Sequence, residues 1–359
     1  MPITLLVFVT ALLSSLATYI SPQTTWVIAV LGLGFPYIYI VNFIFIVYWT
    51  LKKRRIVFLL FIPFIVGLKT IPAFFQLNFS DNSFNTKDTA KLKIMSYNVR
   101  SFDLYNWSGN YSGTSKVREN IFKLIKGESP GIVCFQEFYT SDTGKYQTVK
   151  TMQRDLQFTY SQVELTLRLF HVDHWGMAIF SKYPIIKKQV INFKRKAANM
   201  CLIADVVVNG DTIRVYNCHL QSIRFDWDDY KYVNELGYKI EEEKLTGAKK
   251  IFLRLKKAFP QRAVQTEAVA EHIRSSPYPV ILCGDFNDTP SSYSYAVFNS
   301  MLTDAFRQSG SGIGSTYIGP FPAFRIDYIF HSSQISSSDY HTIHQKLADH
   351  FPIACDLSF

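Results

Sequence analysis

The stretch "ILCGDFNDTP", Ile281 to Pro290, decides the fold. An apolar run reaches Gly284, and the next four residues include Asp285, Asn287 and Asp288. Alternate side chains of a strand share one side, so a carboxylate and an amide at 285 and 287 point together from the strand end. Asp, Asn and Pro are also turn formers, and taken alone the stretch reads equally as a plain turn. The other strand ends separate the two readings.

"KIMSYNVRSFD" ends an apolar run with Asn98 and then Arg100, and "GIVCFQEFY" ends one with Gln136-Glu137. "IRVYNCHLQS" ends with His219, "FRIDYIF" opens with Asp327, and "LADHFPIACDL" enters the last run through Asp349-His350. Six motifs far apart in the chain thus place an acid, amide or imidazole where a strand starts or stops. Strands are expected at Lys93–Tyr97, Gly131–Phe135, Met177–Phe180, Leu202–Val208, Thr212–Cys218, Val280–Cys283, Asp327–Phe330 and Ile353–Leu357. Helices are expected at Val117–Lys126, from about Asp228 to Ala258, and at Arg262–Arg274. Two sheets packed face to face accommodate this pattern.

If the six edges converge, their chemistry is restricted. Several oxygen ligands without thiolates or clustered imidazoles suit Mg²⁺, Mn²⁺ or Ca²⁺ rather than zinc. Two histidines beside carboxylates suit proton transfer near neutral pH. An amide next to a carboxylate can hold an oxyanion while a water is oriented. Metal-assisted hydrolysis of a phosphate ester needs all three.

These blocks, together with "GMAIFSKYPI", resemble in order those of the endonuclease/exonuclease/phosphatase superfamily, the DNase I-like enzymes, over about residues 91–359. The resemblance implies a four-layer α/β sandwich, two β-sheets flanked by helices. It also implies Asn98, Glu137 and Asp349 as metal positions, with Glu137 central. Asp285 corresponds to the carboxylate that positions or deprotonates water, and Asn287 to the amide that steadies phosphoryl oxygens. His350 corresponds to the catalytic histidine, Asp327 to its orienting acid, and His219 to a second histidine at the phosphate or leaving oxygen. The chain departs from the pattern at Ala348, where the family usually has Ser before Asp-His; this removes a hydroxyl but no ligand. Arg100 reads either as a contact to substrate phosphate or as the partner of a nearby acid. His171, Asp173, His174 and Trp175 read as a polar-aromatic surface loop.

The first 75 residues differ from the rest: they contain five Lys or Arg and no Asp or Glu. Ile3–Ile20, Thr25–Thr50 and Ile56–Phe75 are each about long enough to cross a hydrocarbon core of ~30 Å. Three transmembrane helices are therefore expected over residues 1–75, then a polar linker at 76–90 and a catalytic domain at 91–359. The basic loop Lys52–Arg55 is expected on the cytoplasmic side, which puts the catalytic domain outside, in a multi-pass membrane protein. Outside the first 75 residues, 33 basic residues face 28 acidic ones, a mild excess that suits a phosphate-bearing ligand without requiring nucleic acid. Five cysteines, all in apolar runs, read mostly as small buried hydrophobes rather than a disulfide framework. The charged segment 222–259 reads as a solvated helix on a sheet or as a basic membrane-surface contact.

The expected function is a membrane-embedded, divalent-metal-dependent phosphoesterase with no protein partner inferred. Its substrate is a phospholipid head group or a small phosphate ester. An extracytoplasmic nuclease acting on DNA or RNA is the alternative, and a non-catalytic membrane binding protein a third reading.

Overall fold

The computed structural model describes residues 1–78, 91–105, 116–193, 199–223, 241–318 and 324–359. Most of the expected linker and residues 224–240 of the charged segment lie outside them. The chain divides into two compact units: residues 1–75, 221–267 and 288–300 form one, and 76–220, 268–287 and 301–359 the other.

The second unit holds the sheets. Its strands are β1 (Gln76–Leu77), β2 (Lys91–Asn98), β3 (Ile132–Ser141), β4 (Tyr160–Leu169), β5 (Asp173–Ser181), β6 (Ile185–Asn192) and β7 (Met200–Val208). They continue as β8 (Asp211–His219), β9 (Val280–Asp285), β10 (Thr303–Asp304), β11 (Ser311–Gly312), β12 (Asp327–His331), β13 (Ser336–Thr342) and β14 (Ile353–Ser358). One six-stranded sheet runs β13-β14-β2-β3-β5-β4, a second runs β10-β12-β9-β8-β7-β6, and β1 pairs with β11. All eight expected strands are present; seven contain the expected range and extend it by one to several residues, and β3 begins one residue later than expected, at Ile132, and runs on to Ser141.

Period-two alternation explains why the sheets stack. In β2 and β3, Leu92, Ile94, Ile132 and Cys134 meet Met200, Leu202, Val215, Ile281 and Cys283 of the second sheet in one apolar cluster. The intervening Met95, Tyr97, Val133 and Phe135 face the opposite way, onto Val117, Ile121 and Ile125 of the helix Lys116–Glu128 and Met152 of the helix Thr148–Arg154. The first sheet is thus buried on both faces, which is why its central strands read as continuous apolar runs. On the far side of the second sheet, the Tyr216 hydroxyl meets Nδ1 of His272 at 2.8 Å, in the last turns of the helix Glu241–Arg274. All five cysteines are free and buried.

A polar crosslink joins the sheets within this core. Gln136 Nε2 donates to Asn217 Oδ1 at 2.6 Å, and Asn217 Nδ2 donates to the carbonyls of Phe135 at 3.0 Å and Ala178 at 2.9 Å. Neither side chain is exposed.

The first unit departs from expectation. The three apolar runs form four helices, Pro2–Leu16, Trp26–Leu33, Phe35–Leu51 and Val57–Gly67. Among the described residues no single helix is long and apolar enough to cross a membrane. The second run breaks at Gly34, where its two helices bend by 70°; Pro36 lacks an N–H and disfavours helical geometry in Phe35. The third run carries Pro63 within a helix of 11 residues and ends well before Phe75. The two expected helices at 228–258 and 262–274 instead form one, Glu241–Arg274, which continues through Pro260.

Burial in the four helices differs from that of the sheets. Thr4, Ala11, Ser14, Ser15, Ala29, Gly32, Asn42 and Gly67 are buried alongside Phe35, Tyr39, Ile46, Leu60 and Pro63, while Ile3, Leu6, Ile40, Phe43, Ile44, Phe58 and Ile65 are more than half exposed. Polar side chains link the helices: Asn42 Nδ2 donates to the Leu60 carbonyl at 3.1 Å, Ser14 Oγ to the Leu31 carbonyl at 3.0 Å, and Trp49 Nε1 to Thr4 Oγ1 at 3.1 Å.

Gly284 is constrained both by its backbone angle and by its neighbour. Its φ is +140°, and a Cβ there would collide with the Cys218 carbonyl on β8. Gly284→Ala is expected to destabilise the protein by about 3 kcal/mol or more, measured as a lowered denaturation midpoint.

Candidate active site

Strand register assembles the site. On the parallel pair β8–β9 His219 stands opposite Asp285, and on the antiparallel pair β12–β9 Asp327 stands opposite Asp285. Three residues separated by 66 and 42 positions therefore lie in one row across the second sheet. Asn98, the last residue of β2, reaches Asp285 from the first sheet: its Nδ2 donates to Asp285 Oδ2 at 3.0 Å and to Glu137 Oε1 at 3.3 Å.

Glu137 sits at a break in register between Phe135 and Phe138, with φ of +49°. A bulge redirects the side chain that alternation would otherwise assign, and a left-handed non-glycine residue at a functional rim is strain that the surroundings must hold. Asn287 is also left-handed, φ +53°. This curl brings its amide back, so that Nδ2 donates to Asp285 Oδ2 at 3.1 Å and its backbone N–H to Asp285 Oδ1 at 2.8 Å. The sharing of one side by 285 and 287 is realised, but through a turn after β9 rather than along it.

Around Asp285 the imidazoles converge. His219 Nε2 lies 3.7 Å from Asp285 Oδ2 and 3.8 Å from Glu137 Oε1, and His350 Nε2 lies 3.8 Å from Asp285 Oδ2. His350 Nδ1 bonds Asp327 Oδ2 at 2.9 Å, and the ring packs edge-on against Tyr317. Among the described residues, neither His219 nitrogen nor Asp327 Oδ1 has a hydrogen-bond partner, although all three are buried. Buried polar atoms without partners are rare and point to a ligand or water.

Electrostatics follows from burial. Burial pushes the Asp285 carboxyl up, with His350 pulling it down and Asp327 adding to the rise. For His350, burial alone opposes protonation, but Asp327 and Asp285 override it and hold the imidazole well above its ordinary value. Burial likewise raises Asp349, whose charge is favoured by His350 and Arg100 and opposed by Glu137.

The expected metal positions are brought together only in part. Asn98 and Glu137 are hydrogen-bonded, whereas Asp349 Oδ2 is held by Arg100 Nη1 at 2.8 Å. Arg100 therefore takes the acid-partner role of its two readings. It opens a left-handed run, residues 100–103, and its backbone N–H donates to Asn98 Oδ1 at 3.1 Å. A second grouping, Asp285, Asp327 and His350, has ligand atoms within 4.8 Å of one another. There the imidazole bonds one acid and faces the other, and a protonated imidazole is not a ligand; the Asn98–Glu137 side, with Asp349 close enough to feel the Glu137 charge, suits a hard cation better.

Sequence named Gln136 as a strand end without giving it a role, and did not single out Asn217 or Thr316, whose Oγ1 accepts from the backbone N–H of Ile326 at 3.0 Å and of Asp327 at 3.2 Å. Asn217 lies within "YNCHL" and Gln136 beside Glu137, so amides adjoining site residues were the available signal. The expected surface loop at 171–175 is partly strand: Asp173 begins β5 and accepts from the Tyr139 hydroxyl at 2.7 Å, and His174 Nε2 bonds Asp142 at 3.0 Å. Asp288 is absorbed elsewhere, in a buried pair with Arg262 at 2.9 Å.

Comparisons with known proteins agree with this geometry. The model of the "Endonuclease/Exonuclease/phosphatase family" matches residues 95–350, and a domain of unknown function (DUF8431) matches residues 1–74. An endonuclease/exonuclease/phosphatase from Beutenbergia cavernae is 17% identical, with 75% of this chain and 72% of that chain covered and a TM-score of 0.53. A family protein from Bacteroides thetaiotaomicron is 18% identical, with 76% and 99% covered and a TM-score of 0.52. The human Nocturnin catalytic domain, solved with a sulfate anion, is 17% identical, with 75% and 94% covered and a TM-score of 0.52. Such likeness establishes the two-sheet fold. Among curated proteins none matches the chain.

Replacing Asp327 by Ala removes the carboxylate bonded to His350. The His350 imidazole is expected to titrate at lower pH in the metal-free variant than in the metal-free parent, read from its NMR pH titration.

Proposed function

The chain belongs to the endonuclease/exonuclease/phosphatase family, which makes it a metal-dependent hydrolase of ester bonds, and we propose that it is a membrane-anchored phosphoesterase acting on a phospholipid head group or small phosphate ester. The observation that carries the catalytic part is the convergence on one carboxylate oxygen, Asp285 Oδ2, of Asn98 and His350, from the end of β2 and the segment before β14 in the first sheet, with His219 and Asn287, from β8 and the turn after β9 in the second.

Each residue has a task that its surroundings support. Asp285, its pKa raised by burial, is a stronger base than an exposed carboxylate and takes the proton of the attacking water. Asn287 Nδ2 is shared between Asp285 and the Leu220 carbonyl, 3.1 Å away, and holds a phosphoryl oxygen beside the water that Asp285 orients. His350, kept protonated by Asp327, donates toward the negative charge that grows on the phosphoryl group. His219 supplies a second donor from nitrogens that have no protein partner among the described residues. Glu137 and Asn98, with Asp349 once released from Arg100, are the residues that would hold a divalent cation, with Mg²⁺ the first choice and Mn²⁺ or Ca²⁺ the others. Such a cation would polarise the scissile phosphate and offset charge on the leaving oxygen.

The burial pattern of the four N-terminal helices supports the anchor. Most of their buried positions are small or polar while many large apolar residues face outward, a pattern of helices packed in lipid, where association relies on small residues and polar links. The helices of 15 and 17 residues span about 22–26 Å, somewhat short of a hydrocarbon core of ~30 Å; bilayers thin to accommodate such mismatch. Lys52–Arg55 are exposed at the end where Trp49 meets Thr4, and a basic loop favours the cytoplasmic side, with the catalytic part outside. Cleavage of DNA or RNA is the second reading. Its binding would weaken steeply with salt, whereas a small phosphate ester would not show that slope.

Turnover of a panel of plasmid DNA, RNA, sphingomyelin-like lipid and inositol phosphates is expected to require Mg²⁺ and to stop with EDTA. Glu137→Ala and His350→Ala are each expected to lower kcat by about 10²–10⁴ with unchanged circular dichroism. Retained turnover in Asp285→Ala/His350→Ala would refute the assignment.

A further inference from the structure

We propose that the stretch Lys249–Lys257 of the helix Glu241–Arg274 is a headgroup-binding surface that lies on the bilayer and recognises anionic phosphate lipids. This rests on the membrane reading of the N-terminal helices.

At 100° per residue the helix has two faces here. Ile251, Leu255 and Phe259 cover Trp26, Ala29, Val30 and Leu33 of the first unit in one apolar cluster. Lys249, Lys250, Leu253, Lys256 and Lys257 share the opposite arc and are exposed. From Lys249 to Thr266 there is no acidic residue. A helix face built for water intersperses both signs of charge, whereas this one places lysines around Leu253 and the flanking Phe252, 53% and 45% exposed. Lysines bordering exposed large apolar residues form an interfacial face: the apolar groups enter the acyl boundary and the ammonium groups reach back to phosphates.

The level of this face in the bilayer follows from what it is docked on. Trp26 opens the helix Trp26–Leu33, which bends 70° away from Phe35–Leu51. That bend lies beyond the N-terminal end of Phe35–Leu51, while Lys52–Arg55 follow its C-terminal end. Trp26 contacts Phe252 edge to face at 4.5 Å, and the Lys256 ammonium stands 5.9 Å from its ring centroid. Tryptophan concentrates at the membrane–water boundary, so the lysines meet the headgroups of the leaflet opposite the Lys52–Arg55 loop. Each lysine near an anionic surface strengthens attachment about fivefold.

The test uses the full chain reconstituted in nanodiscs of phosphatidylcholine, with and without phosphatidylglycerol. Leu253→Cys and Ile44→Cys carry a nitroxide, and depth is read from accessibility to oxygen against a water-soluble nickel chelate. The native cysteines are buried, so the introduced thiol takes the label. The expected result places the label at 44 in hydrocarbon and the label at 253 at headgroup depth, moving deeper when phosphatidylglycerol is present. Replacing Lys249, Lys250, Lys256 and Lys257 together by Gln abolishes that response. A label at 253 that is fully hydrated, or indifferent to phosphatidylglycerol, while the label at 44 remains in hydrocarbon overturns this inference alone. A hydrated label at 44 overturns the membrane reading and this inference with it.

Discussion

The hydrogen bond from Asn98 Nδ2 to Asp285 Oδ2 joins the last residue of a strand in one sheet to the last residue of a strand in the other. It exists because the sheets are held in fixed register beneath it, by the apolar cluster between them and by the Gln136–Asn217 crosslink. A slip of β9 by one residue against β8 and β12 would turn Asp285 toward the opposite face and separate it from His219 and Asp327. The site is therefore a consequence of sheet packing, and its precision is inherited from the core.

Burial then sets the chemistry. Burial makes the Asp285 carboxylate hold its proton more strongly, and the charges of Asp327 and Asp285 favour the protonated His350 imidazole despite its own burial. Asp285 and His350 thereby acquire complementary tendencies, one to accept a proton and one to donate. The left-handed residues at 137 and 287 and the run at 100–103 add a second cost. They sit where alternation would have aimed a side chain elsewhere, and in each case the curl brings a polar group onto Asp285 or one of its neighbours.

Sequence reasoning reached most of this rim because strand ends carry their own signal: an apolar run that stops at an acid, amide or imidazole. It missed β4, β6 and β13, and the reason is physical. All three are outer strands of their sheets, half-solvated and rich in polar residues, with Lys187 and Lys188 in β6 and three serines and a threonine in β13. Charged residues on such strands guard against unwanted pairing and erase the hydrophobic pattern. Pairing with an acid was one of the two readings of Arg100, but that the acid is Asp349 was illegible for another reason, since a contact across loops leaves no periodicity. The N-terminal runs were legible as apolar but not as continuous helices, because Pro36 and Pro63 break or shorten what hydropathy joins. Pro260 worked in reverse, accepted inside a helix that sequence rules divide.

On the proposed reading, the junction of the two sheets would hold one hard cation on its Glu137 side, leaving Asp285, Asp327 and His350 to handle protons. Anomalous scattering from crystals of the protein soaked in Mn²⁺ tests this. The expected result is a single manganese peak bonded to Glu137, with the Asp327–His350 hydrogen bond intact. A peak among Asp285, Asp327 and His350 with none at Glu137 would contradict it.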